Sequence, residues 1–179
     1  MSSLRKGIER VEVGLKWDPS PLGSPPHDLD LVAGTYTGED PHGSPAYLVH
    51  FDSRSPDGTI HLDRDSRTGQ GFGFDEVMSL ELERLSPTYA RVLVGVVLQQ
   101  NERQERTLVF GDVSNTAVRI RKGYTDLSQH DLSAVAGNSA ATLGEFARGA
   151  DGEWSFREVI RGFDGDLTTF AAAMGALDR

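Results

Sequence analysis

The 179-residue chain contains no cysteine. That excludes a disulfide framework, a thiolate nucleophile and a cysteine zinc site. No apolar run approaches the roughly 20 residues of a membrane-spanning helix. The N-terminal MSSLRKGIERVEV lacks the apolar centre of a secretion signal. Basic residues are the minority, 18 against 27 acids, for a formal charge of −9. Nucleic-acid surfaces call for the opposite sign, so phosphate-backbone binding is not expected as the main activity. Cation binding and plain solubility both fit an acidic chain. There is no GxSxG, no P-loop and no Rossmann glycine pattern after a strand. The five histidines show no HxH or HxxxH spacing, so His27 beside Asp28 and His61 near Asp63 read as ordinary polar residues, not zinc ligands. The expectation is one soluble, cytoplasmic domain over residues 1–179.

What is present is a succession of short alternating segments. Residues 11–17, VEVGLKW, put Val11, Val13, Leu15 and Trp17 on one face. Residues 28–37, 46–51, 59–62, 76–85, 90–100 and 116–122 also read as strands. Residues 143–160 read as two strands about a turn at Ala150-Asp151-Gly152, and 126–139 stay ambiguous. Residues 18–27, with four prolines, and 38–45 are loops, and 101–107 is a charged surface connection. The tail after Asp164 is the one clear helix, with Asp164 or Asp166 at its N-terminus. Many strands with almost no helix predict a mainly β fold, a sandwich of two antiparallel sheets with a short C-terminal helix.

Residues 61–76, HLDRDSRTGQGFGFDE, carry the chemistry. Asp63, Asp65, Asp75 and Glu76 flank Gly69, Gly71 and Gly73. Glycine admits φ > 0, and a bent backbone can aim several carbonyls at one point. Carboxylates plus carbonyls suit a hard cation such as Ca²⁺, which takes about 6–8 oxygens. A solvated glycine-rich loop is the bland alternative. Asp28 and Asp30, alternate along a strand, project from one face; a cation between them would relieve their repulsion. Loops gather at the ends of a sandwich, so the segment before Asp28 and the loop 63–75 can pool their carboxylates. Asp75 and Glu76 are too close in sequence to face each other as a glycosidase pair, and nothing favours a dyad of Asp30 with Glu76.

VEVGLKWDP, HDLDLVA, SPDGTI, DSRTGQGFGFDE, FGDVSNTAVRI and GEFARGADGEWSFREVIRGFDGDL follow in the order found in the TerD family, which this chain resembles from about Val11 to Leu167. The family comprises tellurite-resistance and stress-response β-sandwich proteins that bind Ca²⁺ through acidic loops. The resemblance implies a non-catalytic sensor or adaptor with Ca²⁺ as its cofactor. By position it implies a metal site of Asp28, Asp30, Asp65, Gly69, Gly71, Gly73, Asp75 and Glu76. Asp28, Asp30, Asp65 and Asp75 read there as the carboxylate donors, with Glu76 the weaker candidate because neighbours on a strand face opposite ways. Three positions depart from the family motif: Arg64 replaces Gly, Ser66 replaces Asn and Phe74 replaces Asp. They motivate a second reading, a metal-free interaction module assembling with other family members, in which Arg64 pairs with Asp63 or Asp28. Protein partners are unspecified, with other family members as candidates; a thiolate reaction with tellurium is excluded by the missing cysteine.

Overall fold

Among the described residues, period-two alternation becomes twelve strands in two antiparallel sheets: β1 (Arg5–Lys6), β2 (Arg10–Lys16), β3 (Leu29–Thr37), β4 (Tyr47–Val49), β5 (Ile60–Arg64), β6 (Glu76–Glu81), β7 (Tyr89–Leu98), β8 (Ala117–Lys122), β9 (Thr125–His130), β10 (Ala140–Arg148), β11 (Trp154–Glu158) and β12 (Gly162–Phe163). The structure, a computed structural model, describes residues 5–100 and 106–177. One sheet runs β1-β11-β10-β7-β3-β4, with β12 also on β10; the other runs β5-β6-β2-β8-β9. Among the described residues one α-helix, α1 (Leu167–Ala173), follows the last strand.

The predicted strands are found, with three adjustments. The strand expected over 46–51 stops at Val49, because His50 and Ser53 exchange backbone hydrogen bonds and turn the chain. The strand expected over 76–85 stops at Glu81 and is followed by one 3₁₀ turn, Leu82–Arg84. The ambiguous 126–139 contributes β9 and a second such turn at Ser133–Val135. Most of the expected 101–107 connection lies outside the described residues.

Alternation decides which side chains fill the sandwich. Val11, Val13, Leu15 and Trp17 face inward with Met78, Leu80, Val118 and Ile120. They meet Leu29, Leu31, Val94, Val96, Phe146 and Phe156 of the larger sheet. A second cluster lies on the larger sheet's outer face, where Phe170 and Met174 pack on Val32, Tyr36, Leu93 and Val97. Burial of each such large apolar side chain is worth roughly 1.5–3 kcal/mol. Asp166 caps α1 by accepting the Thr169 N–H at 2.8 Å.

The seat for Phe170 is cut by Gly95 in β7. A Cβ there would stand 2.6 Å from the Phe170 ring and 2.8 Å from the Ala141 carbonyl oxygen. The carbonyl belongs to a paired strand and cannot give way. Gly95→Ala is therefore expected to cost roughly 1–3 kcal/mol by overpacking, lowering the melting temperature by about 2–12 °C in a chain of this size. Scanning calorimetry checks this; an unchanged melting temperature would mean that the helix does not seat against β7 as described.

Candidate metal centre

Three carboxylates from the two sheets converge at one end of the sandwich. One oxygen each of Asp28, Asp30 and Glu76 lies within 4.8 Å of the others. Asp28 and Asp30 arrive on the entry to β3. Leu29, Leu31 and Ala33 point into the inter-sheet core, so Asp30 takes the opposite face of the strand. Glu76 arrives from the other sheet. It opens β6, whose inward residues are Glu76, Met78 and Leu80. Its backbone position thus obliges a carboxylate to enter the sandwich.

The Glu76 carboxylate crosses to β3. Oε1 accepts the Leu31 N–H at 2.8 Å. β4 pairs only with Ala33, Gly34 and Thr35 of β3, so the Leu31 N–H lies beyond the reach of that partner strand. Glu76 itself is fully buried, and its Oε2 has no hydrogen-bond partner. Asp28 Oδ1 is likewise buried and unpartnered. Asp30 Oδ2 accepts from Gln99 Nε2 at 2.9 Å. Gln99 follows β7 directly, and its N–H bonds the Asp28 carbonyl at 2.8 Å.

The electrostatics are those of under-compensated acids. Burial first, then the neighbouring Asp65 and Asp30, push Glu76 up to about 11. Burial, then the charges of Asp30 and Asp65, raise Asp28 to about 7, against a lowering pull from Arg67. Burial also raises Asp30, partly offset by the Gln99 hydrogen bond. Asp65 thus acts on both Asp28 and Glu76 from the start of the glycine-rich loop. The donor set is all oxygen, and two buried oxygens lack partners. That set fits a hard cation, which supplies in one ion the charge the protein omits.

Asp75 is placed elsewhere. Its N–H bonds the Leu15 carbonyl at 2.9 Å, and its Oδ2 accepts the Trp17 N–H at 2.9 Å. It extends the pairing of β2 with β6 and fixes Trp17. Burial raises its pKa too, before the opposing Trp17 hydrogen bond. Trp17 also donates from Nε1 to the His27 carbonyl at 2.8 Å, closing the loop that leads to Asp28.

The glycine-rich loop folds back on the same tryptophan. Gly69, Gly71 and Gly73 all have positive φ, as the sequence requires of a tight loop. At Gly69, φ is +77° and a Cβ would lie 2.5 Å from Trp17 Nε1, so both strain and space demand glycine. Ser66 starts the loop by accepting the Gly69 N–H at 3.1 Å. Phe74 does not face the acids. Its ring lies on Gly14 of β2, where a Cβ would meet it at 2.8 Å, and Arg119 covers it at 4.4 Å. Gly14 sits between the inward Val13 and Leu15, so Phe74 covers the outer face of the smaller sheet. Among the described residues no ion pair joins Arg64 to Asp63 or Asp28; the Arg64 guanidinium stands by Gly71 instead. No histidine enters the cluster among the described residues.

Sequence reasoning missed Gln99, Arg67 and the part played by Trp17. Gln99 is brought in by the pairing of Leu29 with Leu98, which no local pattern announces. The orientation of Glu76 did have a signal: counting back by twos from Met78 and Leu80 places residue 76 inside.

Fold and site together define a two-sheet β-sandwich with a buried acidic cluster spanning its sheets. The TerD domain family model matches residues 1–173, and the chain belongs to that family. It is 29% identical to the tellurium resistance protein TerD of Serratia marcescens, over 98% of this chain and 92% of that protein. It is 28% identical, with the same coverages, to general stress protein 16U of Bacillus subtilis. A crystal structure of a homologue of the telluride resistance protein TerD from Streptomyces coelicolor A3(2) superposes with a TM-score of 0.91 at 54% identity, covering 96% of this chain and all of that one.

Proposed function

We propose that this chain is a calcium-binding, non-catalytic sensor or adaptor of the cytoplasm. Asp28, Asp30, Asp65 and Glu76 would hold the ion, with carbonyls of the loop at Gly69, Gly71 and Gly73. Asp75 would support them through Trp17. The observation that carries this reading is the fully buried Glu76 Oε2, left without a partner among converging carboxylates. An ion there would join β3 of one sheet to β6 of the other and tie both to the loop. Its binding would therefore stiffen one whole end of the sandwich. The reading as a non-enzyme is supported by burial: Asp30 is 2% and Glu76 0% exposed, which leaves no cleft for a substrate between them.

The test is calorimetric titration of chelator-treated protein with Ca²⁺, using Mg²⁺ as the control. Binding is expected for Ca²⁺, with Mg²⁺ weaker because it demands a stricter octahedron and holds its waters. The pair Asp28→Asn with Asp30→Asn should weaken Ca²⁺ binding by about 100-fold or more. Unchanged affinity in that variant, or no heat from the wild type, would falsify the proposal.

A further inference from the structure

The glycine-rich loop carries a side chain that the acidic cluster does not use. Phe72 is 96% exposed. It stands between Gly71 at φ +118° and Gly73 at φ +74°. The loop beneath it is fastened on both sides, by Ser66 to Gly69, by Gly69 against Trp17, and by Phe74 on Gly14. An apolar ring is therefore presented to water on a preorganised support. Association through such a knob costs less ordering entropy than through a free loop.

The same chain contains a matching hole. A groove of about 450 Å³ separates the end of β4 from α1. Its walls are Pro45, Leu48, Phe51, Leu167, Ala171 and Ala172. Phe51 is itself 48% exposed and offers a ring face for an edge or offset contact. Charge matches as well as shape. Arg64, whose guanidinium stands by Gly71 next to the knob, and Arg67 of the same loop are both exposed. Asp52 lines the groove and the exposed Asp166 caps the helix that forms one wall.

We propose that Phe72 of one copy seats in the β4–α1 groove of a second copy, with Arg64 and Arg67 facing Asp52 and Asp166. The contact joins two different patches, so it is heterologous unless the two copies exchange knobs reciprocally. The loop is fastened by Ser66, Trp17 and Gly14 without an ion, so the contact is expected in chelator as well. A single aromatic anchor with a charged rim makes a weak, concentration-dependent association.

Sedimentation velocity on the full chain, from about 10 μM to about 1 mM, tests this. The wild type is expected to shift to dimers or larger species as concentration rises. Phe72→Ser removes the knob and Ala172→Glu blocks the hole. Each should weaken self-association at least about tenfold while leaving the melting temperature unchanged, since both positions are exposed. Mixing the two variants supplies one intact knob and one intact hole, and should restore a heterodimer. A wild type that stays monomeric throughout overturns the proposal, as does association that survives both substitutions. Phe72-dependent capture by phosphatidylserine vesicles of a protein that stays monomeric would assign the knob to membranes and also overturn it. Calcium titration of Ala172→Glu, in α1 and outside the metal loop, reports separately on the acidic cluster and should match the wild type.

Discussion

Replacing Glu76 by Gln is expected to weaken Ca²⁺ binding by roughly 100-fold or more while moving the melting temperature of the metal-free protein by only a few degrees. The amide keeps the shape and keeps an oxygen for the Leu31 N–H, which the carboxylate accepts at 2.8 Å. What it loses is the negative charge that an ion needs. Its NH₂ can donate to the neighbouring Asp28 and Asp30 carboxylates, whose oxygens lie within 4.8 Å of that of Glu76. Without an ion the buried Glu76 carboxyl keeps its proton, so the neutral amide replaces a neutral group at no cost in hydrogen bonds. Glu76→Ala behaves differently. It leaves a cavity at a fully buried position and strands the Leu31 N–H. Those two losses sum to roughly 3–6 kcal/mol, a fall of about 6–24 °C in melting temperature. The contrast separates the two roles of one side chain. Should Glu76→Gln bind Ca²⁺ as the wild type does, the ion is held elsewhere.

The metal-free protein is expected to become less stable as pH rises from about 5 to about 8, and added Ca²⁺ to reverse that loss only at the upper end. Asp28, raised to about 7, and Glu76, raised to about 11, hold protons more tightly folded than unfolded. The stabilisation from those bound protons is complete below the unfolded carboxylate pKa values. It falls as pH climbs past them, by as much as about 1.4 kcal/mol per unit per group. For Asp28 the fall ends near pH 7, whereas for Glu76 it continues toward 11. Glu81, where burial pulls up but its arginines win and lower the pKa below 4.5, is fully ionised across this range and leaves the trend unchanged. Calcium must displace the protons, so its apparent affinity rises with pH. At 100 times its dissociation constant the ion adds about 2.7 kcal/mol. Melting curves from pH 5 to 8, with Ca²⁺ and with chelator, give the answer. A calcium-induced shift that stays constant across that range would place the ion on carboxylates that are already ionised.

The sandwich was legible because alternation is a property of local sequence. Val11, Val13, Leu15 and Trp17 announce a half-buried strand and are buried as one. The pair Asp28 and Asp30 was legible for the same reason. The turn that cuts the expected 46–51 strand at Val49 was not, because it rests on backbone bonds between His50 and Ser53. At the acidic pair, motif position favoured Asp75 as the donor, whereas the backbone phase of β6 turns Glu76 inward and leaves Asp75 to Trp17. Gln99 was invisible because it arrives through cross-strand pairing from about seventy residues away. Phe74, which reads as a lost ligand, has a separate occupation: it roofs Gly14 beneath Arg119.

The Leu31 N–H has a further significance. β4 pairs only with Ala33–Thr35, so the first residues of β3 have no β4 partner, although they are buried. An unpaired strand margin becomes a template for adding an extended peptide once it is exposed. Glu76 occupies its Leu31 N–H with an inward-pointing carboxylate, and Asp28 and Asp30 line the approach with negative charge. The acids that invite a cation therefore also act as a guard against strand addition. Truncating Glu76 to Ala frees the Leu31 N–H whereas Gln keeps it occupied, so Glu76→Ala is the variant to watch for fibrils.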